Sequence, residues 1–146
     1  MIPFDIRLMR LGALLLLAGL VMGPFMMRLA IPRVGLTAHL TGIGDGVMLM
    51  VMALVWPWLK LSRLWSRIGA ALMAVSLPGI WLALLLGAAL NIGSIAPLAA
   101  GPGHDGGGPF WTPLATGILV GSSLLLVAAV IILLVGLLRL RPATAS

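Results

Sequence analysis

Two ionisable side chains stand in a stretch otherwise apolar enough to cross a membrane. They are His39 and Asp45, within LTAHLTGIGDGVMLMVM at 36–52, and Gly42, Gly44 and Gly46 surround them. Ionisable groups in a membrane span are costly, so they mark functional sites by default. An imidazole can hold a cofactor or relay a proton. A carboxylate at depth must pair, protonate or line a wet cavity. At about 1.5 Å per residue, His39 falls about 6 Å into its span and Asp45 about 15 Å, near the midplane. Six residues turn a helix by about 600°, so the two lie about 120° apart and need not touch. Gly42 and Gly46 fall below His39 on its own face, at i+3 and i+7. A histidine above a strip without side chains suits a flat, bulky ligand, and it equally suits tight helix packing.

Three readings of His39 follow from spacing alone: an interfacial imidazole bonded to water or a carbonyl, a cofactor ligand, or a proton relay. For Asp45, no Lys or Arg lies at its depth in any span. A salt bridge within one chain is therefore not expected. A hydrogen-bonded or neutral acid is, suited to proton exchange or to anchoring a substrate. A structural role stands beside these, in which Asp45 bonds backbone freed by a kink at Pro78. His104 and Asp105 sit in glycine-rich sequence, solvated or capping the site, and Met48, Met50 and Met52 read as packing or lipid-facing residues. No Ser/His/Asp set, HExxH or phosphate loop is present.

The elements that must position these residues are membrane helices. The chain has 146 residues, 62% hydrophobic and 8% charged, with no cysteine and no tyrosine. Soluble domains sit near 45–50% apolar and about 25% charged, so the composition predicts an integral membrane protein. Its length allows one domain, 1–146, without a disulfide framework or thiolate site. The expected fold is all-α, a bundle of four transmembrane helices at about 8–29, 35–58, 68–90 and 114–138. The basic, apolar start could be a signal peptide, but no A-x-A-like site follows, so it reads as an uncleaved first span. Gly19 and Gly23, and again Gly117 and Gly121, have the small-xxx-small spacing that lets helices approach. Trp56, Pro57 and Trp58 read as an interface anchor. The segment 91–113 is the only long loop, rich in Gly and Pro, and is expected to fold over a site.

The net charge of +6 reads as topology, and no basic patch with interleaved aromatics points to nucleic acid. With both termini inside, Arg7, Arg10, Lys60, Arg63, Arg67, Arg139 and Arg141 are cytoplasmic, against Arg28 and Arg33 outside. The expected topology is N-in/C-in, with His39 and the long loop sharing the outer side. A multi-pass protein of a bacterial inner or plasma membrane follows.

AHLTGIGDGVML at 38–49, the WPWL that ends the same helix, and GSIAPLAAGPGHDGGGP at 93–109 together resemble the small four-helix membrane family of hydroxylaminobenzene mutases and styrene oxide isomerases. The resemblance covers most of the chain, and the long loop and last helix are closer to the mutases. It implies a homotrimeric enzyme with heme b at subunit interfaces and His39 as the axial iron ligand, with Gly42 and Gly46 beside the cofactor. It implies an intramolecular isomerase or mutase acting on a small apolar aromatic substrate, a hydroxylamine or an epoxide. A ferric heme with one axial histidine keeps an open position and acts as a Lewis acid. The epoxide isomerases carry Asn where this chain has Asp45, and a tyrosine on the third helix whose counterpart falls near Ala83 or Leu84. Asp45 is thus the candidate catalytic group, to bond a hydroxylamine or accept the proton lost on rearomatisation. The alternatives are a b-type cytochrome, which would need a second histidine such as His104, and a non-catalytic membrane subunit.

Overall fold

A computed structural model describes residues 5–140, so Arg141 of the topology count lies outside the described residues. Five helices follow one another: α1 (Ile6–Met22), α2 (Pro32–Val55), α3 (Arg63–Ala89), α4 (Pro97–Ala100) and α5 (Gly108–Leu138). Four helical stretches, Ile6–Arg28, Pro32–Trp58, Arg63–Ala89 and Gly108–Leu138, are long and apolar enough to cross a membrane. The chain is therefore an all-helical membrane protein with four candidate spans.

Local chemistry sets the boundaries. Asp5 caps α1 by accepting from the N–H groups of Arg7 and Leu8, and its own N–H reaches the Ala53 carbonyl of α2. Pro24 lies in the 3₁₀ turn Gly23–Arg28 that extends α1. α3 starts at Arg63, earlier than expected from hydropathy, because Ser62 caps it from its hydroxyl. α5 starts at Gly108, six residues before the expected 114. Pro109 occupies its first turn, where a missing N–H costs nothing, and the helix continues through Pro113.

The spans do not close into a bundle. They pack in sequence, α1 on α2, α2 on α3 and α3 on α5, which leaves α1 and α5 at opposite ends of an open row. Small residues make the contacts: Ala38, Ala53, Ala83, Ala88 and Ala129 are fully buried. In a bilayer such close approach supplies the dispersion contacts that hold helices together. Trp56 is buried, not an interfacial ring. Its Nε1–H donates to the Ser66 carbonyl at 3.0 Å, and the ring fills the space beside Gly69. Trp58, 59% exposed, keeps the anchor position. α5 has the highest mean hydropathy of the spans, 3.0, yet only 17% of its most apolar stretch is buried within the chain. That face is left for lipid or for another chain.

The segment joining α3 to α5 is built, not loose. Ile92 and Asp105 form an antiparallel bridge, the Gly93 N–H donates to the His104 carbonyl, and the Gly106 N–H donates to the Asn91 carbonyl. Asn91 adopts φ 60°, a left-handed turn that Asn tolerates better than most residues. Ile31, Val34, Ala88 and Ala100 form a small core that pins this segment to the start of α2.

Candidate functional site

The first polar residue of α2 to resolve is His39. It is half-buried, and its Nδ1–H donates to the Gly19 carbonyl of α1 at 2.7 Å. That carbonyl is free for a reason written in the sequence. Pro24 has no N–H to offer the Leu20 carbonyl four residues back. The Gly23 N–H turns to Leu20 instead, as the α-helix tightens into the 3₁₀ turn. Gly19 thereby loses its usual helical donor, and His39 supplies one. Gly23 leaves room for the ring as well, since an added Cβ would lie 3.0 Å from His39 and press on it.

This bond fixes the imidazole. With Nδ1 protonated, Nε2 carries the lone pair and makes no hydrogen bond among the described residues. A histidine that ligates a metal almost always donates its other N–H in this way, which orients the ring and raises its basicity. We expect ¹⁵N NMR of His39 to show the Nδ1–H tautomer. Pro24→Ala, which returns an N–H to residue 24, should shift the ring toward the Nε2–H form as Gly23 recaptures Gly19. An unchanged tautomer would mean that the Gly19 carbonyl does not control it.

The strip below His39 is not a ligand cradle. A Cβ at Gly42 would lie 2.6 Å from Trp81 Nε1 and 2.9 Å from Gly19 Cα, and one at Gly46 would lie 2.5 Å from Leu16 N. Helix α1 and Trp81 of α3 fill that side, so of the two readings offered by spacing, packing is the one that holds within the chain. The open side of α2 is elsewhere. Leu36, Leu40, Val47, Val51 and Leu54 are all exposed, and no atom lies within 4 Å of the Cβ position at Gly44. His39 sits at the edge between this open stripe and the packed face.

Can this arrangement hold heme? No group of three or more His, Cys, Asp or Glu side chains gathers among the described residues. One imidazole does not retain a bare metal ion, so any iron that His39 ligates must come held in a macrocycle. The donor and its tautomer fit that role. A flat group would lie along the Leu36–Leu40–Gly44 side of α2, not on Gly42 and Gly46.

Asp45 is half-buried, makes no side-chain hydrogen bond among the described residues, and its Oδ2 is buried without a partner. The bond to backbone near Pro78 is not formed. Trp81 Nε1 is the other buried polar atom without a partner. Trp81, deep in the third span, is not among the candidates that the sequence offers. A tryptophan at that depth next to a glycine on a facing helix was the available signal.

His104 does not join His39. It is half-buried, its Nδ1–H donates to Asn91 Oδ1 at 2.7 Å, and it lines a cavity of about 520 Å³ with Met26, Met27, Ile31, Arg33 and Leu36. Asp105 is exposed. Gly19 packs against Gly42 and Ile43, as its spacing with Gly23 foretold, whereas Gly117 and Gly121 have nothing within 4 Å and present open small-residue surface.

Fold and site thus define a membrane-spanning α-helical protein with a tautomer-fixed histidine and, six residues along the same helix, a half-buried aspartate whose Oδ2 has no partner among the described residues. The profile of the styrene oxide isomerase family matches residues 5–138. The chain is 37% identical over 105 residues to hydroxylaminobenzene mutase HabB of Ectopseudomonas oleovorans, a match spanning 71% of this chain and 63% of that protein. It is 34% identical over 129 residues to hydroxylaminobenzene mutase HabA of the same organism, spanning 88% of this chain and 94% of the relative. No solved structure matches. The chain belongs to the styrene oxide isomerase family, which its named members make a family of isomerases and mutases.

Proposed function

We propose that the chain is a heme b-dependent intramolecular mutase acting on a small aromatic hydroxylamine, with aryl epoxides as second substrates. The observation that carries this reading is the His39 Nδ1–H bond to the Gly19 carbonyl, which leaves Nε2 as a single basic nitrogen at the edge of α2's open side. The mutase relatives favour the hydroxylamine.

His39 would hold the iron through Nε2, with the bond to Gly19 keeping the ring aimed. Bound there, ferric heme would supply a Lewis acid for the N–O or epoxide oxygen. The apolar side chains of α2 exclude water from the cation that bond heterolysis would produce. Asp45 bonds the hydroxylamine or takes the proton that the ring carbon loses on rearomatisation. The hydroxyl moves from nitrogen to the ring, one proton leaves carbon and one reaches nitrogen, so no external oxidant or reductant is consumed.

The protein is proposed to act as a homotrimer with heme at subunit interfaces, in a bacterial inner membrane with both termini inside. The open positions at Gly44, Gly117 and Gly121 and the uncovered face of α5 support a partner chain. In that topology Arg7, Arg10, Lys60, Arg63, Arg67, Arg139 and Arg141 are cytoplasmic. A bis-histidine cytochrome finds less support, because the matched relatives are mutases.

The test is an assay of detergent-purified protein with phenylhydroxylamine and styrene oxide side by side. We expect aminophenol formation from the first without added redox partner, and slower or no aldehyde from the second. Turnover of neither substrate by heme-loaded protein would overturn this assignment.

A further inference from the structure

The two buried polar atoms that lack partners, Trp81 Nε1 and Asp45 Oδ2, belong to facing helices. α2 and α3 run antiparallel, since Ile31 N–H meets the Ala88 carbonyl at one end and Trp56 Nε1–H meets the Ser66 carbonyl at the other. Gly42 connects the two atoms. The indole nitrogen ends 2.6 Å from where a Gly42 Cβ would be, so any larger residue at 42 would displace it. Asp45 stands three residues further along α2, where neighbouring Cβ positions are about 5–6 Å apart.

Direction closes the argument. Helical side chains lean toward the N-terminus of their own helix. Asp45 therefore leans back toward the level of Gly42, while Trp81, on the antiparallel helix, leans toward the level of Asp45. The two atoms do not bond each other, and both are buried on facing helices, Trp81 Nε1 beside Gly42 and Asp45 Oδ2 about one turn further along α2. Leaving either unsatisfied costs the desolvation of a buried polar group. An indole N–H only donates, and a carboxyl oxygen that carries no proton, in either the ionised or the neutral acid, only accepts. One group that satisfies both must accept on one side and donate on the other, and a hydroxyl does this.

We propose that Trp81 and Asp45 hold one O–H group between α2 and α3, its oxygen accepting from Trp81 Nε1–H and its hydrogen donated to Asp45 Oδ2. The hydroxyl comes either from a resident water or from the N–OH of a substrate. The second source rests on the mutase reading above and makes Trp81 a substrate-binding residue. It also separates the two substrate classes, because an epoxide oxygen can accept from Trp81 but has no hydrogen for Asp45.

Ultraviolet resonance Raman spectroscopy reads the hydrogen bonding of indole N–H groups. The chain has five tryptophans, and the difference between the wild type and Trp81→Phe isolates Trp81. If a resident water fills the site, Trp81 is hydrogen-bonded without substrate and stays so when phenylhydroxylamine is added. If the substrate hydroxyl fills it, the indole becomes bonded only on adding phenylhydroxylamine, and Trp81→Phe raises KM for that compound about tenfold. In either case Asp45→Leu weakens the Trp81 bond, and its difference spectrum against the wild type reads the site even if Trp81→Phe does not accumulate. An indole N–H that is free with and without substrate overturns the proposal, as does a bonded indole indifferent to Asp45→Leu. The spectra need no turnover, so a chain without mutase activity would sink the function proposed above and leave the hydroxyl site to be judged on its own.

Discussion

Replacing His39 with alanine is expected to remove heme and turnover together while the fold survives. The structure offers iron no second donor set, since no cluster of three ligating side chains exists among the described residues. On the proposed function, loss of the only proposed axial ligand should release the macrocycle on purification and lower the mutase rate at least about a thousandfold. The structural cost is far smaller. His39→Ala strips the Gly19 carbonyl of its donor, worth about 1 kcal/mol, and opens a small gap beside Gly23. Visible absorption, activity and an unfolding titration on one preparation separate these effects. A His39→Ala protein that keeps both its Soret band and its rate would place the ligand elsewhere. Pro24→Ala provides the graded counterpart, with heme affinity reduced about 10–100-fold as the ring loses its anchor.

Gly46→Val should be the most damaging substitution for the fold. The new Cβ would lie 2.5 Å from Leu16 N, 2.7 Å from Leu16 Cα and 2.8 Å from the Gly12 carbonyl oxygen. All three are backbone atoms, so no side chain can swing aside and α1 itself must move away from α2. Overpacking a seam of this kind costs about 3 kcal/mol, and valine's branched Cβ leaves no rotamer to escape into. Gly44→Val, two residues earlier, meets nothing within 4 Å in its own chain. In detergent, Gly46→Val should unfold at clearly lower denaturant than the wild type, whereas Gly44→Val should unfold like the wild type and reveal any neighbour through loss of assembly or heme. Equal unfolding of the two variants would contradict the α1–α2 packing described here.

These contrasts show what the sequence could and could not tell. The four spans were legible because a bilayer demands about twenty consecutive apolar residues, and that signal does not depend on tertiary detail. Their ends were less so: Ser62 and Pro109 start helices several residues before the hydropathy rises. The order in which the spans pack, as an open row, was not legible. The packing of α5 on α3 alone is decided by which small residues face which helix, and hydropathy is blind to that. His39 and Asp45 stood out because both are expensive at membrane depth. The roles of the glycines did not, since Gly42, Gly44 and Gly46 look alike in sequence while two are packed and one is open. Trp81 was missed because tryptophan is apolar enough to pass as core, and only its partnerless N–H sets it apart.

The most direct test of a His39-held heme is the absorption spectrum and heme content of wild-type protein purified from heme-replete cells, recorded beside its turnover of phenylhydroxylamine. The proposed function predicts a Soret band with one heme per His39 and activity that rises and falls with heme occupancy. A colourless, heme-free preparation that isomerises phenylhydroxylamine at full rate would contradict it.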